Sequence, residues 1–138
     1  MMVQYLQLQP ESNLPDISAL NIFRTVVIAE EPVTPDWLYK VSSWLVWSGT
    51  LYVMTWGNSC EYWHDSIDFA NMEVFNFEQI PEEKFVMTTW HENEPLEEVF
   101  WFSKNSAFHP IVEISNTLIL HISNRDRSLE FLSMYENS

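Results

Sequence analysis

The amino-acid sequence predicts a single three-layer α/β domain over residues 1–138, with a mostly parallel central sheet of about five strands and helices on both faces. Three observations predict it. Short β-branched runs alternate with helix-length amphipathic segments from residue 22 onward, joined by short connections. Hydrophobic residues make up 46% and aromatics 15%, enough apolar surface to offset the entropy of ordering the chain. Gly49 and Gly57 are the only glycines where an average chain carries about nine or ten, which excludes collagen-like, repeat and low-complexity architectures. An α+β arrangement with the helices on one face is the alternative.

Residues 3–9 (VQYLQLQ) alternate apolar and polar, the period of a strand with one wet face. Pro10 to Asn21 reads as a loop broken by Pro10 and Pro15. With no helix evident there, the first strand is expected to pair antiparallel at a sheet edge. Residues 22–29 (IFRTVVIA) suit a central strand. The next helix is the clearest element: Thr34 caps it, Pro35 takes the first position, Asp36 complements the positive end and Gly49 supplies the left-handed stop. Trp37, Val41, Trp44, Leu45 and Trp47 follow at mostly helical spacing.

LYVMTW (51–56) then completes a βαβ unit, whose strands are parallel with a right-handed crossover. Asn58 or Ser59 caps a second helix, with Trp63, Ile67, Ala70, Met72 and Val74 on its buried side. FVMTTW (85–90) is the third strand of this type, followed by a helix at 95–106 that turns Leu96, Val99 and Phe100 inward. NTLILHIS (116–123) is the last strand, and a C-terminal helix docks through Leu129, Leu132 and Met134-Tyr135.

Twenty acids against six Lys and Arg give a net charge of −14. Six scattered cations cannot form the counterion-releasing footprint that nucleic acid requires, and anionic membrane is excluded as a primary partner on the same ground. Cys60 is the only cysteine, so there is no internal disulfide and no Cys-rich zinc site. No run approaches the ~18 apolar residues of a membrane span. The first 23 residues lack Lys and Arg and carry no secretory pattern, so a cytoplasmic protein is expected.

In open α/β sheets, ligands sit beyond the carboxyl ends of the strands. That rule nominates Glu30 and Glu31, the segment Gly57 to Cys60, the segment His91 to Glu94, and the segment Ser123 to Asp126. Cys60, His64 and His91 form the sharpest enzymatic combination. A helix N-terminus lowers a thiol pKa, and a strand-end histidine could act as base with Glu92 or Asp65 orienting it. Surrounding carboxylates oppose that activation, and no nucleophile motif surrounds Cys60, so an inert buried cysteine is expected. His64, Asp65 and Asp68 with His91 and Glu92 suit a metal by residue type, but no H-x-H or H-E-x-x-H spacing is present. No catalytic residue, metal ligand or cofactor is therefore assigned. His109 is expected to be structural, and His121 to be a satisfied core histidine.

The acid distribution says more. Residues 61–98 hold eleven acids and one cation, Lys84, a net −10, interleaved with Tyr62, Trp63, Phe75, Phe77 and Trp90. Charge of this kind speeds encounter with a basic protein, and aromatics anchor it. Helical spacing, however, also suits these aromatics to the core, with the acids as their wet counterparts.

The strings WLVWSGTLYVMTWG, WHDSIDFAN, FVMTTWHENEPLEEVFWF and LILHIS resemble a family of short bacterial proteins of unknown function that shares W-G, W-x-D-S-x-D, T-T-W-H and E-V-F-W-F segments. The resemblance covers about residues 20–125 and implies a single domain of bacterial, cytoplasmic origin. It brings no activity and no catalytic residue.

The expected function is a non-enzymatic interaction module that binds a basic protein, of immunity or antitoxin type, through Glu92, Glu94, Glu97 and Glu98. The alternative is a small hydrolase or metal-dependent enzyme at the rim of Glu30, Glu31, Cys60, His64, Asp65, His91 and Glu92. A homo-oligomer with a tryptophan-lined face is a third reading.

Overall fold

Local chemistry fixes the first helix, α1 (Pro35–Ser48), at both ends. Thr34 is extended and its Oγ1 accepts the Trp37 N–H at 3.3 Å, with Pro35 leading the first turn. Gly49 ends the helix at φ 113°, where an added Cβ would lie 2.1 Å from the Asn21 carbonyl oxygen. The computed structural model describes residues 1–138. Around α1 it places strands β1 (Val3–Leu8), β2 (Phe23–Ala29), β3 (Thr50–Gly57), β4 (Met87–His91) and β5 (Asn116–Ile122). The remaining helices are α2 (Cys60–Val74), α3 (Leu96–Asn105) and α4 (Ser128–Glu136). β4 begins at Met87 rather than Phe85 because Asn71 holds the chain just before it: Oδ1 accepts the Val86 N–H at 3.0 Å, and Nδ2 donates to the Lys84 carbonyl at 3.3 Å.

The five strands form one sheet in the order β1-β5-β2-β3-β4, and every neighbouring pair is parallel. This corrects the antiparallel edge expected for the first strand, which lies parallel to β5. A loop does the work of a crossover helix. Residues 9–22 contain only a short 3-10 turn at Ser18–Leu20, and two indoles of α1 hold the segment to that helix. Trp37 Nε1 donates to the Ser12 carbonyl at 2.9 Å and Trp44 Nε1 to the Pro15 carbonyl at 2.8 Å, while Ile17 and Leu20 are buried beneath.

Alternate side chains of the central strands feed two cores, as the pleat requires. Val27, Val53, Leu118 and Leu120 pack with Trp37, Leu45, Trp63 and Ile67 on the α1/α2 face. Val26, Met54 and Ile119 pack with Val99, Phe100, Phe131 and Tyr135 on the α3/α4 face. All seven residues of β2 are buried, as befits its central place in the sheet. Trp47, Met72 and Leu129, expected on apolar faces, are exposed instead. Trp47 and Leu129 stand two positions from Leu45 and Phe131, hence on the far side of their helices, and Phe131 with Tyr135 docks α4. No helix is long and apolar enough to cross a membrane.

Candidate functional site

Parallel pairing carries every strand's carboxyl end to one edge. The chain leaves β2 for α1 on one face and β5 for α4 on the other, so the crevice between these neighbouring strands is the topological switch point. Gly57 makes the approach beside it possible: at φ 99° an added Cβ would sit 2.3 Å from the Ala29 carbonyl oxygen. Asn58 then ties the two loops, its backbone N–H donating to Ala29 at 2.7 Å and its side chain to the Glu30 carbonyl at 3.0 Å.

Glu30 is thereby aimed at His121, which is fully buried in β5. His121 Nε2 meets Glu30 Oε1, and His121 Nδ1 lies 2.7 Å from the Tyr5 hydroxyl. That hydroxyl accepts the Arg127 backbone N–H at 3.0 Å, which directs its own proton to Nδ1 and leaves the Nε2 proton for Glu30. Arg127 closes the crevice from above. Its Nη1 donates to the other Glu30 oxygen at 3.1 Å, its Nε and Nη2 reach Glu130 at 2.7 and 2.6 Å, and the guanidinium lies 4.5 Å over the Phe131 ring. Burial pushes the Tyr5 phenol up, so it stays protonated at neutral pH. The bond to Arg127 holds the Glu130 carboxyl below the usual range. Every member of this set has its partners, and β1, β2, β5 and α4 are joined through it. Chemically it is a closed lock.

The two imidazole rings of the other rim segments stay apart. His64 on α2 bonds Asp65 at 2.9 Å, lies 3.6 Å from Asp68 and meets the Trp90 ring edge-on at 4.7 Å. His91 follows Trp90 and therefore points to the opposite sheet face, bonding Thr89 at 2.8 Å and Glu94 at 3.2 Å beside Phe102. Cys60 is buried, and its thiol is pushed up by that burial and then by the Glu92 charge. The His91 backbone N–H thus reaches the Cys60 thiol, while the His64 and His91 rings lie on opposite faces of the sheet. No trio of His, Cys, Asp or Glu side chains gathers with metal-holding geometry. Glu31 lines a different cleft, of about 200 Å³, with Pro32, Asn58, Ser59 and Tyr62.

The acidic stretch meets no cation. The only carboxylates within 4.0 Å of a Lys or Arg are Glu30 and Glu130, both on Arg127, and neither belongs to residues 61–98. Of its aromatics, Trp63 is in the core and Phe75 partly buried, but Tyr62, Phe77 and Trp90 are 56%, 58% and 44% exposed. Phe69, also at the surface, stacks between Tyr39 and Phe77 at ring distances of 6.0 and 5.4 Å. Clefts flank this ridge: about 310 Å³ beside Tyr39, Tyr62 and Asp65, and about 370 Å³ beside Asp68, Phe85 and Thr88. Glu92, Glu97 and Glu98 are exposed, Glu94 is tied to His91, and Glu97 and Glu98 border a third cleft of about 410 Å³ with Trp101.

Sequence reasoning passed over His121, Tyr5 and Arg127 as a group. The available signal was a histidine in a core strand paired with Ile28, two positions before Glu30, but its partner Tyr5 is 116 residues away.

Fold and edge together define a three-layer α/β domain of parallel sheet, with a charge-locked switch crevice and an unpaired acidic flank. The chain belongs to the family described as Domain of unknown function (DUF7684), whose model matches residues 3–138. No curated protein and no solved structure matches it.

Proposed function

We infer that this domain is a non-enzymatic protein-interaction module that binds a basic protein, in the manner of an immunity protein or antitoxin masking a cationic partner. One observation carries the reading: the eleven acids of 61–98 have no Lys or Arg within 4.0 Å, while Tyr62, Phe77 and Trp90 among them are at the surface. Like charge with no Lys or Arg beside it repels itself in the free protein, and a cationic surface would relieve that repulsion. Exposed aromatics supply the anchors that charge alone lacks. The lone, free Cys60 suits the reducing interior of a bacterial cell.

Affinity capture from native lysate at low and moderate salt tests the reading, with a Tyr62→Ala/Trp90→Ala variant in parallel. A basic protein is expected on the wild-type domain, weaker as salt rises and lost from the variant. Retention of no protein, or equal retention by the variant, would overturn it.

A further inference from the structure

We propose that the open edge of β4 takes up an extended basic segment of the partner as a sixth strand, with a Lys or Arg side chain seated in the cleft beside Asp68. This rests on the domain being a binder of a basic protein, and it adds the mode of binding. β4 is hydrogen-bonded to β3 on one side and to no strand on the other. The Thr89 carbonyl faces β3, where it lies 3.4 Å from Thr55 Oγ1, whereas the Val86 N–H faces the other way and is held by Asn71. Strand alternation then turns the N–H and C=O of Thr88 and Trp90 to the open side. Asn71 closes the edge at residue 86, so the free template starts at Thr88.

Natural sheets guard such edges with charged residues or proline within the strand. Met87–His91 reads MTTWH and has neither a Lys, Arg, Asp or Glu nor a Pro. The surroundings fit one kind of strand. The cleft of about 370 Å³ along this edge has apolar walls at Met72, Ile80 and Phe85 and the Asp68 carboxylate at its side. A long cationic side chain can lay its stem on such walls and bring its charge to the acid. Trp90, braced by His64, offers a rigid aromatic face next to it. A second copy of this chain fits poorly, because edge-to-edge pairing would set Asp68 and Glu92 of one copy near those of the other in molecules that each carry −14. Main-chain pairing combined with pockets for alternate side chains is an established mode of peptide recognition.

The test uses the isotope-labelled full chain, a peptide of five Lys-Val repeats, and the peptoid with the same side chains and charge but no backbone N–H. The peptide is expected to slow amide exchange at Thr88 and Trp90 and to bind about tenfold tighter than the peptoid, the worth of one or two backbone hydrogen bonds. Thr88→Pro should remove that advantage, since an edge residue whose N–H faces outward tolerates proline, whereas Thr88→Val, which loses only the hydroxyl that donates to Asp68 at 2.6 Å, should keep it. Equal binding of peptide and peptoid, with Thr88 and Trp90 unprotected, would overturn strand addition and leave the acidic-surface reading standing. Absence of binding by either at low salt would overturn both. Protection of Thr88 and Trp90 without peptide, alongside a concentration-dependent dimer, would give the edge to a second copy and overturn the proposal.

Discussion

Glu30 and Asp65 each lie against a histidine, on opposite faces of the sheet, yet only Glu30 belongs to a closed set of partners. At the β2/β5 end, carboxylates meet Arg127, a buried imidazole and a buried phenol. At the β3/β4 end they meet the half-buried His64, the buried His91 and solvent. Three of the six cations are committed away from the acidic stretch. Arg24 is buried and donates to the Ala107 and Ile114 carbonyls, and Lys104 reaches the Glu136 and Ser138 carbonyls. With Arg127, these side chains serve the α3/α4 face and the switch crevice. Lys84 is the single cation of the acidic stretch. One sheet thus carries a half built for cohesion and a half whose charge is left for something else to meet.

Two double-mutant cycles measure that difference most strongly. The Glu30 side chain is 30% exposed and Asp65 68%, and His121 is buried where His64 is only partly so. Glu30→Ala would strand the His121 Nε2 proton and one edge of Arg127, and should cost on the order of 1–3 kcal/mol in urea unfolding at pH 7, most of it coupled to His121. Asp65→Ala, coupled to His64, should fall below about 1 kcal/mol, as exposed pairs do. Equal coupling energies would erase the distinction between the two ends.

The backbone of this contrast is legible in the amino-acid sequence. Thr34, Pro35 and Gly49 mark the limits of α1 because capping chemistry is local, and continuous apolar runs mark β2, β3 and β5 because burial on both faces leaves no alternation. The direction of β1 was not legible. Its partner β5 lies more than a hundred residues away, and the crossing loop depends on two indole N–H groups that helical spacing assigned to a core stripe. The exposed aromatics were hidden for a related reason: apolar periodicity marks a buried face but says little about which large side chains overflow it, so Trp90 and Trp63 read alike. His121 could be read as a satisfied core residue. The identity of what satisfies it depended on strand order.

Alkaline titration gives a smaller effect that also belongs to the locked end. Burial raises the Tyr5 phenol above its ordinary value of 10.0, so the folded state holds that proton more tightly than the unfolded chain. Its contribution is complete below pH 10 and is lost as pH climbs through the raised value. Tyr5→Phe should lower stability at pH 7 by about 0.5–1.5 kcal/mol through the missing hydroxyl bonds, and should flatten the fall in stability above pH 10. Tyr52 and Cys60, also raised by burial, leave a residual slope in the variant. An unchanged alkaline profile would detach Tyr5 from the lock.

At the unpaired end the smallest effect has the opposite sign. Glu73 occupies the last turn of α2 and is exposed, so its charge faces the negative end of the helix with no Lys or Arg within 4.0 Å. Glu73→Lys replaces an unfavourable charge–dipole contact with a favourable one and removes two units of the local excess. It should stabilise the domain by about 0.3–1 kcal/mol at low ionic strength, less as salt screens it. Glu130→Gln, at the other end, should destabilise the domain because it removes the charge and one of the two oxygens that hold Arg127. Thermal melts of the two variants side by side at low and high salt read both signs. If Glu73→Lys destabilised the fold, the charge of the acidic flank would already be answered within the molecule, and no outside cation would be needed to answer it.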